Sequence, residues 1–336
     1  MIMKTGTFIS LMTGFAGLIA LLIWQGIGEV AGILATAGWG LLVITAFHLI
    51  PMLSSSMCWR ILLPVQHQLP LPRLLVARWI GESVNSMLPV AQIGGEFAKA
   101  RWIMRHGIPG GAAGSSVVVE VTISLLTQIV FTIIGLAALL FYLELNSSLV
   151  IEIAIGTSVM VALLIAFYTS QRQQMFGKSA SLLEKIAGGK QWLSISGGAA
   201  TLDQAIIEIY RHKKVLAAAS TWRLCSWVIG TGEVWLIMYF LEQPVSLPEA
   251  LLLESLGQAI RAAGFLIPAS LGIQEGGFLL LGAVLGIPPQ TALALSLAKR
   301  VRELTLGLPG LITWQLLTGQ RLWKRHQTEQ ITEPNL

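Results

Sequence analysis

Charged residues are scarce in this chain of 336 residues, and that scarcity excludes an ordinary soluble protein. Asp, Glu, Lys and Arg make up 12% of the chain and hydrophobic residues 54%, whereas a soluble domain averages about 25% charged residues. The net charge of +5 is spread along the chain, so membrane topology explains it better than nucleic-acid binding. We therefore predict an integral membrane protein with no nucleic-acid partner.

Residue patterns for disulfides, metals and nucleotides are also missing. Cys58 and Cys225 lie far apart in apolar surroundings, which argues against a disulfide framework. The five histidines are scattered, and neither H-x-x-x-H nor C-x-x-C occurs. Gly94 and Gly95 resemble a nucleotide loop only superficially, because no P-loop Lys-Ser/Thr pair accompanies them. We expect no metal and no cofactor.

Long apolar runs are abundant and predict an all-α, multi-pass membrane protein. The six predicted full spans cover roughly 7–24, 32–57, 111–143, 149–168, 217–241 and 290–320. The first run resembles a signal peptide, but no small-residue cleavage site follows it, so a first span is the better interpretation. The distribution of basic residues predicts cytoplasmic termini and a cytoplasmic insertion at 170–214, all within a single transmembrane domain over 1–336.

Two interrupted apolar segments predict re-entrant helical hairpins in addition to the six spans. The segment 79–98 has basic residues on both sides, so both of its ends are expected in the cytoplasm. Pro89, Gly94 and Gly95 mark the position where it would turn. Broken backbone at membrane depth is tolerated only where protein buries it or where it lines a cavity. We therefore predict that this hairpin forms part of a functional site.

The first hairpin has a counterpart 179 positions later in the chain. At this constant offset Pro89 aligns with Pro268, Glu96 with Glu275, and Gly107-Ile108-Pro109 with Gly286-Ile287-Pro288. We predict two repeat halves, 1–143 and 149–320. An odd number of full spans precedes the second half, so the halves should be inverted in the membrane, which is a transporter architecture.

The repeat pairs residues of opposite charge. Glu82 aligns with Arg261 and Glu120 with Lys299. A pseudo-two-fold axis brings equivalent positions near it together, so we expect Glu82 to face Arg261 and Glu120 to face Lys299.

Polar residues at membrane depth are the candidates for binding and translocation, since such residues are costly and usually functional. The candidates are Glu82, Asn85, Gln92, Glu96, Arg261, Glu275 and Lys299. A structural interpretation stands beside each functional one. Glu82 and Asn85 could form an interhelical pair, Glu96 and Glu275 could cap helix starts, and Arg261 could pair with Glu82 or Glu254. Arg302 and Glu303 could likewise be a structural pair.

The motifs GESVNSMLPVAQIGGEFAKARWI and FLIPASLGIQEGGFLLLGAVLGIP resemble the transmembrane-domain family of lysylphosphatidylglycerol synthases. Together with SLAKRVREL (296–304) they look closest to the HpnL-type branch found with hopanoid biosynthesis. The resemblance implies a protein of the bacterial inner membrane that moves a lipid between leaflets, and it adds Gly272 to the structural breaks. The aminoacyl-transferase domain of full-length synthases is not recognisable, so we do not expect synthesis of lysyl lipid.

The sequence thus favours a lipid flippase, with membrane lipid as its binding partner. Two other interpretations remain open: a non-transporting partner of lipid-biosynthesis enzymes, and an enzyme that modifies a lipid headgroup. An enzyme would need a second reacting group beside a general base such as Glu96 or Glu275, and none stands out. The identity of the lipid and the oligomeric state are open.

Overall fold

A computed structural model describes Ile23 and residues 27–88, 94–140, 199–264 and 267–332. The predicted span at 149–168, all but Ile23 of the span at 7–24, and most of the insertion at 170–214 lie outside these residues, as do Pro89 and Gln92.

Helices account for nearly all of the described structure, as the sequence predicts. In the first half, α1 covers Ile27–Thr36, α2 Gly40–Phe47, α3 Leu49–Leu62, α4 Leu71–Met87, α5 Gly94–Met104 and α6 Gly110–Leu140. In the second half, α7 covers Ala199–Arg211, α8 Lys213–Phe240, α9 Leu247–Ala263, α10 Ile273–Val284 and α11 Pro289–Thr332. Short 3-10 turns occupy Val65–His67 and Pro268–Ser270.

Two stretches, Gly40–Leu62 and Gly110–Leu139, are helical, long and apolar enough to cross a membrane. The predicted single helix over 32–57 is interrupted. The chain turns after Thr36 at Gly38, whose φ of +45° suits glycine, and the helix then continues past His48, whose backbone is right-handed helical, to Leu62.

Both predicted helix breaks fall between helices. α4 ends at Met87 and α5 begins at Gly94, on either side of the segment that contains Pro89. In the second half, α9 ends at Ala263 and α10 begins after Gly272, which has a φ of +77°. The backbone between them includes two further left-handed residues, Ala269 and Ser270. Neither segment is therefore one straight helix.

The offset of 179 recurs in the helix boundaries. Ile273 starts α10, 179 positions after Gly94 starts α5, and Pro289 starts α11, 179 positions after Gly110 starts α6. The turn between each pair of helices also repeats, with φ of +91° at Gly107 and +70° at Gly286.

The hydrogen bonds that close the two turns match as well. The N–H of Ile108 donates to the oxygen of Ile103 at 3.4 Å, and the N–H of Ile287 donates to the oxygen of Gly282 at 2.8 Å. Both are the long bond of a Schellman helix ending, which requires a left-handed residue just before the donor. The offset of the sequence repeat is thus also seen in the boundaries and turns of these helices.

Helices of the two halves pack on one another in a reciprocal way. α4 packs along α11, and its counterpart α9 packs along α6, while α3 packs along α8. Small residues allow close approach at both reciprocal contacts. Gly310 of α11 contacts Ser83 of α4, and Gly135 of α6 contacts Ser255 of α9. The halves therefore share one interior, which places the polar residues of both around a common space.

Candidate functional site

A polar cavity of about 290 Å³ lies between α3, α4, α8, α9 and α11. Five cations and five carboxylates line it, together with His48. The cations are Arg78, Arg223, Arg261, Lys299 and Arg302, and the carboxylates are Glu82, Glu96, Glu233, Glu254 and Glu303. So many ionisable side chains in so apolar a chain mark a site whose charges must be paired or must meet a ligand.

On the first-half side of the cavity, charge pairing centres on Glu120. This carboxylate is 2% exposed and accepts hydrogen bonds from Arg78 and, at 2.7 Å, from Nζ of Lys99. The same Nζ lies 2.6 Å from an oxygen of Glu96. We call Arg78, Glu96, Lys99 and Glu120 the Glu120 cluster. Its ion pairs link α4, α5 and α6.

On the second-half side of the cavity, charge pairing centres on Lys299, which aligns with Glu120 in the repeat. Its Nζ donates to Glu254 at 2.6 Å and lies 3.6 Å from Glu233. Arg302 lies 3.1 Å from the same oxygen of Glu233. We call Glu233, Glu254, Lys299 and Arg302 the Lys299 cluster. It joins α8, α9 and α11, with the sign of the central charge reversed relative to the first half.

A further set of ion pairs links α9 and α10 to α11. Arg261 donates to Glu303 and, at 3.2 Å, to the side chain of Gln274. Arg300 donates to Glu275 at 3.0 Å and to Glu303 at 3.3 Å. These contacts fix the second hairpin against the last helix.

His48 connects the two sides of the cavity. Its Nδ1 lies 2.6 Å from Glu233, and its Nε2 lies 3.6 Å from Glu82 and 3.3 Å from Arg302. Nδ1 is thus within hydrogen-bond distance of Glu233, while Nε2 faces both Glu82 and Arg302. The ring therefore bridges an acid of each half.

The predicted site residues mostly converge on this cavity. Glu82, Asn85, Glu96, Arg261 and Lys299 all line it. Glu275 lies behind the lining, and Gln92 falls outside the residues described. The expected pairings do not form, because Glu120 bonds Arg78 and Lys99, and Arg261 bonds Glu303.

One structural interpretation of these residues finds direct support. Glu275 caps the start of α10, because its carboxylate accepts the backbone N–H of Gly272 at 2.7 Å. Arg302 and Glu303 are in loose contact at 3.9 Å, but each has a closer partner elsewhere.

Four ionisable residues of the lining were not among the predicted site or ion-pair residues: His48, Arg78, Arg223 and Glu233. None of them belongs to a recognisable motif. Glu233 could have been found from the sequence, because an ionisable residue at membrane depth is costly and is therefore a candidate for function. Within the described residues, no group of three His, Cys, Asp or Glu side chains is arranged to hold a metal.

Comparison with known proteins identifies one family. A family model described as the lysylphosphatidylglycerol synthase transmembrane region matches residues 7–310. No curated protein and no solved structure is significantly similar to the chain.

Proposed function

Because the chain belongs to the family of the lysylphosphatidylglycerol synthase transmembrane region, we propose that it is a lipid flippase that carries a lipid headgroup through the polar cavity. The supporting observation is the cavity itself, in which ten charged side chains from both repeat halves surround about 290 Å³ of space. A polar headgroup meets a prohibitive barrier in hydrocarbon, since polar groups without partners are costly there. A charge-lined cavity within the protein removes that barrier.

The hydrocarbon part of the lipid has a place beside the same helices. A second, apolar cavity of about 950 Å³ is lined by residues of α6, α8 and α9, with Phe47 at the end of α2. Phe47 precedes His48, and Thr231 of this cavity follows Gly230 of the polar one. Headgroup and tail would therefore travel on two sides of the same stretch of chain.

The translocation site comprises the predicted residues with distinct roles. Arg261 and Lys299 would attract an anionic or polyol headgroup, such as that of a hopanoid or a glycosylated lipid. Glu82, Glu96 and Glu275 would tune the local charge or accept protons, and Asn85 and Gln92 would provide neutral hydrogen bonds. An ion gradient or the lipid gradient would drive transport.

The proposed topology is an inverted repeat in the bacterial inner membrane, with both termini in the cytoplasm. The matching helix boundaries and the reciprocal packing of α4 with α11 and α6 with α9 support it. In this arrangement, the two hairpins enter from opposite faces and meet near the midplane, as in transporters with broken helices.

A scrambling assay tests the proposal. The purified protein is reconstituted into liposomes with a fluorescent lipid, and an impermeant quencher reports how much lipid reaches the outer leaflet. We expect the wild type to expose the inner-leaflet pool, and Glu96→Gln and Arg261→Ala to slow exposure at least tenfold. Glu208→Gln, in an exposed surface pair with Arg211, is the matched control and should behave as wild type.

The other outcomes separate the alternatives. Failure of the wild-type protein to move any phospholipid, glycolipid or hopanoid would overturn the flippase and favour a non-transporting partner of lipid-biosynthesis enzymes. Conversion of a lipid to a product of new mass would instead indicate an enzyme.

A further inference from the structure

The cations that line the polar cavity differ in how they are neutralised. Arg261, Lys299 and Arg302 each lie within ion-pair distance of at least one glutamate. Arg223 is the exception, because no carboxylate of the described residues lies within 4.0 Å of it. An arginine that has no ion-pair partner is costly in a membrane-embedded cavity. An anionic ligand that pairs with it would remove this cost.

The contacts of Arg223 hold it in place and leave part of its guanidinium free. Its Nη1 donates to Oγ of Ser55 at 2.8 Å, and the group stacks 4.4 Å above the ring of Trp227. Its Nε is buried and has no hydrogen-bond partner among the described residues. The protein therefore fixes the orientation of the guanidinium, and N–H donors of this group remain for a ligand.

The hydroxyl groups of Ser55 and Ser226, beside Arg223, are within hydrogen-bond distance of each other and of one backbone oxygen. Oγ of Ser55 and Oγ of Ser226 lie 2.8 Å apart, and each also lies 2.8 Å from the carbonyl oxygen of Pro51. Each hydroxyl has one hydrogen, so this group uses both. Ser55 and Ser226 thus position the arginine rather than supply donors to a ligand.

A second arginine reaches the same corner. Arg78 is 4% exposed and lines the cavity, and its Nη2 donates to the backbone oxygen of Ser55 at 3.2 Å. Its Nε is also buried without a hydrogen-bond partner in the part of the chain that the structure describes. Arg78 pairs with Glu120 and lies 3.8 Å from Glu82, so its Nε is the donor that remains, whereas Arg223 has no ion-paired carboxylate among the described residues.

We propose that Arg223 and Arg78 form a phosphate-binding subsite, which holds the phosphate of an anionic phospholipid headgroup in the polar cavity. Guanidinium groups present N–H donors in a planar fork that matches phosphate oxygens, and they keep their charge at any physiological pH. The subsite refines the proposed function and rests on it for the lipid nature of the ligand. It predicts that a lipid without phosphate occupies the cavity more weakly.

Lipid binding to the purified full chain tests the subsite by native mass spectrometry. Phosphatidylglycerol is compared with a glucosyl diacylglycerol of the same acyl chains, for wild type, Arg223→Gln and Arg223→Lys. We expect Arg223→Gln to weaken phosphatidylglycerol binding about tenfold, equivalent to 1.4 kcal/mol, with little effect on the glycolipid. Arg223→Lys should restore part of the loss. Arg211→Gln, which removes an exposed arginine, should change neither.

Several results would overturn the subsite. One is unchanged phosphatidylglycerol binding in Arg223→Gln, and another is an equal loss for both lipids. A third measurement uses millimolar inorganic phosphate as the ligand. A protein that binds free phosphate but not phosphatidylglycerol would overturn the assignment of the subsite to a lipid. Melting temperatures close to that of wild type show that the variants fold.

The two proposals fail separately. A wild-type protein that binds phosphatidylglycerol through Arg223 but scrambles no lipid would remove the flippase and keep the subsite. A protein that scrambles lipids while Arg223→Gln binds phosphatidylglycerol normally would remove the subsite alone.

Discussion

The side-chain oxygen of Asn85 accepts a hydrogen bond of 2.7 Å from the backbone N–H of Gly95. The first N–H groups of a helix have no partner within it, and Gly95 is the second residue of α5. A side chain near the end of α4 therefore satisfies a donor at the start of α5. The absence of a side chain at Gly95 makes this contact possible, because a Cβ there would lie 2.6 Å from the amide of Asn85.

Removal of this bond should loosen the first hairpin. We expect Asn85→Ala to reduce stability by about 1 kcal/mol, as for the loss of a helix N-cap. Asn85→Asp keeps an acceptor oxygen and should lose less. Thermal unfolding of the detergent-purified proteins measures the order of stability of the wild type and the two variants. An Asn85→Ala protein as stable as the wild type would show that the bond adds nothing.

Neutralisation of Glu120 should be among the most damaging single changes. Glu120→Gln leaves Arg78 and Lys99 without their shared carboxylate in a buried setting. Breaking a buried ion pair from one side typically costs about 3–5 kcal/mol. The matched control is Glu208→Gln, since its pair with Arg211 is exposed and worth about 0–1 kcal/mol. Equal melting temperatures for the two variants would contradict the central role of Glu120.

The contact between α6 and α9 should not tolerate a methyl group at Gly135. A Cβ at this position would lie 2.8 Å from the Cβ of Ser255, and overpacking of this kind costs about 1–3 kcal/mol. A Cβ at Gly276 of α10 would meet nothing within 4 Å. We therefore expect Gly135→Ala to lower the melting temperature, and Gly276→Ala to maintain or raise it because alanine favours helix. The reverse order would disprove the close packing.

The proposed inverted topology predicts opposite accessibility at equivalent turns. Pro109 and Pro288 occupy the same place in the two repeats, and both are exposed. In a background without Cys58 and Cys225, we expect Pro109→Cys to react with an impermeant thiol reagent from the cytoplasmic face and Pro288→Cys from the outer face. Labelling of inside-out and right-side-out vesicles distinguishes the two. Reaction of both from the same face would exclude inversion.

Local sequence signals were sufficient for the helix breaks and the repeat. Proline and glycine limit backbone conformation, so Pro268 and Gly272 mark a break wherever they occur in an apolar run. The Gly107 and Gly286 turns likewise require left-handed backbone, and a requirement of this kind is visible in sequence. Gly94 and Gly95, which were expected at the turn itself, are instead the first two residues of α5.

Side-chain partners were not predictable in the same way. The partner of an ionisable group depends on how helices distant in sequence pack. His48 and Glu233 are 185 positions apart, and no periodicity relates them. Arg261 illustrates the same limit, because Glu82 and Glu254 were its expected partners and packing instead places it against Glu303. Only some of the polar residues that line the cavity were thus expected from the sequence, and their pairing was not.

Each central ion of the cavity finds its partners within its own repeat half. Every member of the Glu120 cluster lies between Arg78 and Glu120 in the chain, and the Lys299 cluster lies between Glu233 and Arg302. Proteins are made from the amino terminus, and their amino-terminal parts generally fold first. The first set of buried charges can therefore be neutralised during synthesis, before the second set leaves the ribosome. The contact from His48 to Glu233 joins the two halves, and it can form only after α8 has been synthesised.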